Sequence, residues 1–396
     1  MPFPSPFHTR TGPLNQSHEW RNWSGYLSAS LYELNHEREY YAIRNSAALI
    51  DVSPLYKYDF RGQDALRALN RILTRNLERC AVGQVMYTAW CDDDGKVIDD
   101  GTVTRLANDH FRVTAAEPNL AWFEDCSYRR NVVVRDISQE LAALAVQGPA
   151  ARRILEQVLS GVDLSSLKYY RIAQGQLAGI PLQVSRTGYT GDLGYELWVE
   201  PEHATGLWDA VMEAGEPFGA QAAGILALDI ARIEAGLIML QVDYISARKA
   251  HVPAQKSSPY EIGMGWAVDL DKPAFIGRKA LVRENESGSH WKLVGLEVDW
   301  ESLEAVYARY HLAPMLAGRA SRTPAPVYQN GRQIGQMTSH TFSPILKKYI
   351  AIGTLETTSS RSGDRVQLEF TVEYVHHPVN ARIVRLPFFN PERKRA

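Results

Sequence analysis

Ser185-Arg186-Thr187-Gly188-Tyr189-Thr190-Gly191-Asp192-Leu193-Gly194-Tyr195-Glu196-Leu197 is the stretch on which the reading of this chain turns. Leu182 to Ser185 reads as a strand entering a glycine-rich turn, and Tyr195 to Val199 as the strand leaving it. Glycines at 188, 191 and 194 let backbone approach a ligand closely, while Tyr189 offers a stacking face and Glu196 a bidentate acceptor. The same residues equally describe a decorated hairpin. They do not form a phosphate cradle, because no lysine follows the glycines as GxxxxGK(S/T) requires, and GxGxxG is not matched either.

Working outward, the signals on both sides alternate between strand and helix from about 140 to 236, the pattern of a mixed α/β unit. Leu141 to Val146 is a short apolar run ending at Gln147-Gly148-Pro149, and Ala150 onward is helical. Helices are expected near 203–214 and 223–235, with Gly236 placed to stop the second in a left-handed cap. Toward the N-terminus, Leu66, Leu69, Leu73 and Leu77 recur at helical spacing and predict a helix from Gln63 to Leu77. The turn Asp92-Asp93-Asp94-Gly95 separates two strand-like runs, Val85 to Cys91 and Val97 to Leu106. Toward the C-terminus short strands are expected at Lys292–Val298, Gln333–Met337, Val366–Tyr374 and Ala381–Leu386, the pattern of a small β-barrel. The acidic stretch 297–304 reads as a surface connection.

Asp99 and Asp100 fall in the second of the two runs around the Asp-rich turn. Strands disfavour Asp, and a buried carboxylate must find donors, so either residue is a functional candidate or the pair is a solvated strand end. Adjacent strand residues point to opposite faces, so at most one of them faces a given pocket. Arg232 and Glu234 read, by themselves, as exposed charges at a helix end.

Composition excludes several classes. The chain has 396 residues, 45% hydrophobic, 22% charged and 10% aromatic, which fits an ordinary globular protein of two or three domains. A formal charge of -2 with no dense basic run gives no nucleic-acid footprint. Cysteines at 80, 91 and 126 lack CxxC spacing, the histidines are scattered, and neither a metal site nor a disulfide framework is expected. No membrane span or signal peptide is read, and a cytoplasmic location is expected.

The order of these blocks resembles the glycine-cleavage T-protein (aminomethyltransferase) superfamily, which includes folate-dependent demethylases. Asp51-Val52-Ser53, Gln84-Val85-Met86-Tyr87, Gly95-Lys96-Val97-Ile98-Asp99-Asp100, Leu144 to Pro149, Ser185 to Leu197, Arg232 to Gly236, Phe275 to Leu281 and Thr338-Ser339 with Ser343-Pro344 follow one another in family order. The resemblance implies an α+β, three-domain, cloverleaf-like arrangement: α/β folate-binding domains at 1–140 and 141–285, and a β-barrel at 286–396. It implies tetrahydrofolate as cofactor, Asp99 as the catalytic carboxylate near the reactive folate nitrogens, Tyr189 and Glu196 holding the pterin, and Tyr87 and Arg232 lining the channel.

Departures shape the expected reaction. The histidine of the family's DVSHM block is replaced by Pro54, the asparagine of VVNA by Ala116, and the arginine of GARD by Leu228. The closing Leu386-Pro387-Phe388-Phe389-Asn390-Pro391 is similar to the demethylase relatives. The resemblance therefore implies a methyltransferase (demethylase) moving methyl from a small O-, S- or N-methylated substrate to tetrahydrofolate, with no nucleic acid or membrane partner. Two alternatives stay open: an aminomethyltransferase served by a lipoyl carrier protein, and a folate-binding regulatory protein without transfer chemistry. A KGCYxGQE cysteine motif, typical of the family's iron-sulfur-linked branch, is not found.

Overall fold

Every residue of the strand Ala142–Gln147 is buried, and its alternation decides how the middle of the chain is layered. Leu144 and Val146 face one side, where Ile154 and Leu155 of helix Ala151–Val158 and Leu207, Trp208 and Val211 of helix Ala204–Gly215 cover them. Ala143 and Ala145 face the other, against Tyr40 and Ile43 of helix Glu37–Asn45 and Ala227 and Ala231 of helix Ile225–Glu234. Small residues on that second face let helices approach closely, and large ones on the first fill the opposite layer.

This strand is central to a seven-stranded sheet in the order Leu159–Ser160, Ile172–Leu177, Ile180–Ser185, Gly194–Val199, Ala142–Gln147, Ala48–Asp51, Gln221–Ala222. Residues 48–51, far N-terminal in the chain, pair antiparallel with Ala142–Gln147, so this sheet is stitched from three distant segments. A second, five-stranded sheet runs in the order Gln84–Cys91, Val97–Ala107, His110–Ala115, Tyr56–Arg61, Val133–Asp136. Its core, with Tyr58, Phe60, Trp90, Phe111 and Phe123, is closed by helices Ala65–Ile72 and Leu120–Ser127. Six strands from Trp291–Val298 to Val375–Val384 close into a barrel. The computed structural model describes residues 2–316 and 318–395, and among these no helix is long and apolar enough to cross a membrane.

The hairpin around the Asp-rich turn forms as expected, as does the barrel, and Gly236 stops its helix with φ of 64°. Several expectations are corrected. The helix drawn to Leu77 ends at Ile72, because Leu73 turns extended at φ −84° and ψ 150°; Leu73 and Leu77 still reach the same core. The strand expected over Val366–Tyr374 stops at Val372, and Glu373 and Tyr374, left-handed at φ 49° and 64°, turn the chain into its partner strand Val375–Val384. Strands Ala325–Gln329 and Lys348–Glu356 had no sequence signal in this reading. The acidic stretch 297–304 carries a helix, Trp300–Ala308, capped by Asp299 accepting from the Ser302 amide at 3.1 Å.

Lys57 braces the segment that joins the two sheets. Its fully buried ammonium donates to the carbonyls of Ser53 at 2.7 Å and Leu55 at 2.8 Å. Burial drags its pKa from 10.5 down to about 7. The unfolded chain therefore binds more protons than the folded one between these values, and stability from this group rises with pH across that window. Lys57→Met should flatten the rise by up to about 1.4 kcal/mol per pH unit. Urea unfolding of both proteins at pH 7 and 9 reads this, and identical slopes would remove Lys57 as the source.

Candidate active site

The glycine-rich turn is built around a side chain. Gln147, at the end of the central strand, donates its amide to the Thr187 carbonyl at 3.1 Å and accepts from Thr190 Oγ1 at 2.9 Å. A Cβ on Gly188 or Gly194 would fall 2.0 or 2.2 Å from that amide. Those glycines make room for Gln147 rather than for a ligand, which corrects the sequence reading of the turn. Gly191, at φ of 73°, lets the turn pass within contact of Ala235.

The turn is also held from the C-terminus. Arg393 forms a two-pronged pair with Asp192 at 2.6 and 2.9 Å, and Phe389 lies under the Arg44 guanidinium, 4.4 Å from its ring centre. Tyr189 emerges from the turn and donates its hydroxyl to the Ile238 carbonyl. Glu196 leaves on the next strand opposite Ser185 and accepts from the hydroxyls of Thr187 and Ser185. Burial raises its pKa, and among the described residues no cation pairs with it.

The two aspartates point opposite ways, as strand alternation demands, and it is Asp100, not Asp99, that lies on the face of Tyr87. Asp99 is fully buried on the core side of the five-stranded sheet, where it accepts from Asn119 Nδ2 at 2.8 Å and from the amides of Glu117 at 3.1 Å and Asp100 at 2.8 Å. Asp100 faces the other side and accepts from the hydroxyls of Tyr87 and Tyr244. Tyr189 lies within electrostatic reach of both Asp100 and Tyr87, and Tyr170 within reach of both Tyr87 and Glu196. The structure thus brings Tyr87 onto Asp100 with Tyr189 near both, and leaves Asp99 on the other face of the strand. Burial raises the pKa of both carboxyls; in Asp99 the neighbouring Asp100 charge adds to the rise, while in Asp100 the tyrosine hydroxyls oppose it.

Arg232 does not line the pocket. It is fully buried behind Tyr189, and each of its three nitrogens is engaged: Nε with Asp229 at 2.9 Å, Nη1 with Asp243 at 2.6 Å, and Nη2 with Ser339 of the barrel at 2.8 Å. Glu234 is likewise fully buried, paired with Arg44 at 2.6 Å and accepting from Tyr40 and Ser343, each at 2.5 Å. Both charges thus link a helix to the barrel, not to solvent. Sequence reasoning did not single out Tyr170 or Tyr244, and it named Asp100 only as the neighbour of Asp99 on the opposite strand face.

A family profile described as GCVT N-terminal domain matches residues 9–272, and one described as Glycine cleavage T-protein C-terminal barrel domain matches residues 292–390. The chain belongs to the glycine-cleavage T-protein family. Among its relatives, the Aminomethyltransferase of Halothermothrix orenii is 37% identical over 355 residues, covering 88% of this chain and 90% of that protein. The Trimethylamine-oxide aldolase of Ruegeria pomeroyi is 35% identical over 369 residues, covering 90% of this chain but 43% of that longer protein. The crystal structure of the glycine cleavage system aminomethyltransferase T from Bartonella henselae superposes with a TM-score of 0.82 at 22% identity, covering 98% of this chain and 99% of that one. The α+β arrangement with a C-terminal barrel is therefore the T-protein fold.

Two outcomes follow for this T-protein family member. Arg232→Ala should cost about 3–5 kcal/mol of stability by leaving buried Asp243 without its cation, while Asp229 keeps Arg322, read by urea unfolding; wild-type stability would show that the network carries no such weight. Asp100→Asn should fold normally and slow catalysis by roughly 10²–10⁴, whereas Asp99→Asn should mainly lose stability, about 1–3 kcal/mol, since an amide turns a donor toward donors. Parallel turnover and unfolding measurements on both variants check the assignment, and the opposite pattern would reverse it.

Proposed function

We propose that this protein is a tetrahydrofolate-dependent one-carbon transferase, and within that class a methyltransferase taking methyl from a small O-, S- or N-methylated substrate to N5 of the folate. The observation that carries the folate reading is Glu196. It is a half-buried carboxylate that accepts from two hydroxyls and pairs with no cation among the described residues, with Tyr170 within electrostatic reach of it. A pterin edge, with a ring NH beside an exocyclic amine, offers the two parallel donors such a carboxylate accepts. Tyr189 covers the ring face. Arg232, its nitrogens already engaged, holds the wall behind Tyr189.

Asp100 is the group this reading places beside N5. Its two tyrosine donors fix the carboxylate plane, and burial lifts its proton affinity toward the range in which it can take up a proton. Bound tetrahydrofolate supplies the nitrogen nucleophile for the incoming carbon. The protein's own work is then alignment: holding donor and acceptor in near-attack geometry lowers the barrier by several kcal/mol without a nucleophilic side chain. No covalent enzyme intermediate is expected.

The methyl-donor reading is supported by the departures at Pro54, Ala116 and Leu228. Pro54 borders a cavity of about 570 Å³ shared with Phe3, Tyr26 and Tyr56. Leu228 is 7% exposed and packs in the cluster that Tyr189 joins, so an apolar wall stands where the family carries arginine. The second reading, aminomethyl transfer from a lipoyl carrier protein, is favoured by the Aminomethyltransferase names of several relatives. One experiment separates them. Incubated with tetrahydrofolate and a panel of methoxylated aromatics, methylated amines and sulfonium compounds, the protein should yield 5-methyltetrahydrofolate by mass spectrometry. Methylenetetrahydrofolate formed only with an aminomethyl-loaded lipoyl carrier, and nothing from the panel, would establish the second reading instead.

A further inference from the structure

Three aromatic side chains, Phe3, Tyr26 and Tyr56, stand around the cavity of about 570 Å³ that Pro54 borders. Each is fixed. Phe3 bridges to the strand that carries Tyr26: its amide donates to the Gly25 carbonyl at 2.9 Å, its carbonyl accepts from Leu27 at 2.9 Å, and the two ring centres lie 4.2 Å apart. A Cβ on Gly25 would come within 3.2 Å of the Phe3 ring, so the glycine, at φ of 87°, makes room for it. Tyr56 stacks at 6.3 Å and 4° on Tyr58, which is fully buried.

The charge on this wall has one sign. Asp136 and Glu140 line the cavity, and among the described residues no lysine, arginine or histidine does. Glu140 is paired with Arg135 at 2.7 Å. Asp136 makes no ion pair among the described residues, and its hydrogen bonds from the Ser138 amide at 2.9 Å and hydroxyl at 2.5 Å both reach Oδ1. Its charge is felt by Tyr26 and Tyr56. Lys57, which also feels it, is held by the carbonyls of Ser53 and Leu55. Ring faces attract positive charge through their quadrupole but replace few of the hydrogen bonds that a primary ammonium leaves behind in water. A cation whose charge is wrapped in methyl groups has no N–H to satisfy and fits such a wall best.

We propose that this cavity binds a small methylated onium cation, a quaternary ammonium or a sulfonium, with its methyl groups against Phe3, Tyr26 and Tyr56 and its charge beside Asp136. The cavity adjoins the proposed reaction centre: Ser24 on its wall donates to the Ala116 carbonyl at 3.4 Å, and Ala116 packs in the cluster that holds Tyr87 and Tyr244. As the seat of the methyl donor it rests on the methyl-transfer reading above, and it narrows the O-, S- and N-methylated donors to the charged ones. When such a donor gives its methyl to N5, the electron pair of the broken C–N or C–S bond stays on nitrogen or sulfur, which departs neutral, and the N5 proton is released. No acid is needed on the leaving side.

The test is a ligand-observed NMR titration of the full chain, following the methyl signals of choline, of its dimethylsulfonium analogue, and of 3,3-dimethylbutanol, the uncharged carbon isostere of choline. Both cations should bind about tenfold more tightly than the isostere. Phe3→Leu, at a partly exposed position, and Tyr56→Leu should each weaken choline by about three- to thirtyfold and change the isostere far less, while Tyr56→Phe keeps the parent's affinity. Asp136→Asn should weaken the cations and leave the isostere alone. Equal affinity of the parent for choline and isostere overturns the inference, as does unaltered choline binding in both Phe3→Leu and Asp136→Asn. Tetrahydrofolate is then added. Loss of methyl from the bound cation supports the donor seat, and binding without that loss overturns the donor seat alone. Methyl transfer from a neutral methoxylated aromatic, with no cation bound, overturns the cation site and leaves the methyl-transfer reading standing.

Discussion

Two buried guanidinium groups hold the molecule's parts in one arrangement. Arg44 ties the first long helix to Glu234 and Asp192, and Arg232 ties the helix Ile225–Glu234 to Asp243 and the barrel. Neither charge is tolerable alone in a dry interior, so each is acceptable only when all its partners are in place. That all-or-none requirement makes the network a specifier of geometry more than a source of stability. Because Asp192 lies in the turn that presents Tyr189, and Glu234 ends the helix behind it, the pocket inherits its shape from these pairs.

Around the pocket the same economy of charge recurs in smaller form. Asp99 and Asp100 are neighbours in sequence yet sit in different environments, one wrapped by amide donors and one by phenols. The amide-wrapped carboxylate orders the strand and the 115–119 loop. The phenol-wrapped one lies on the opposite face of the strand and ties it to Tyr244 in the stretch after Gly236. Placing the two back to back also raises the proton affinity of the inner group through simple repulsion.

Much of this was legible from the residues. The buried strand at 142–147, the hairpin across the Asp-rich turn and the barrel follow from apolar pattern, turn chemistry and family order. The register of Asp99 against Asp100 was not, for a physical reason: the preceding Val97 and Ile98 are both buried, so the apolar pattern does not say which face of that strand is the core. Arg232 and Glu234 read as exposed because nothing in a local window reveals Asp243, Ser339 or Arg44. Tyr244 lies in the irregular stretch between Gly236 and the helix Arg278–Ser287, where no periodicity marks which side chains turn inward.

The pairing of Arg393 with Asp192, and of Phe389 with Arg44, joins positions 201 and 345 residues apart. During synthesis the glycine-rich turn is made long before its last partners exist. The pocket's walls then wait without these braces until the barrel has formed and the segment after it has swung back. A pocket assembled this way is a late event in the life of the chain, completed after most of the fold is already committed, and contacts of such long range make that final closure slow.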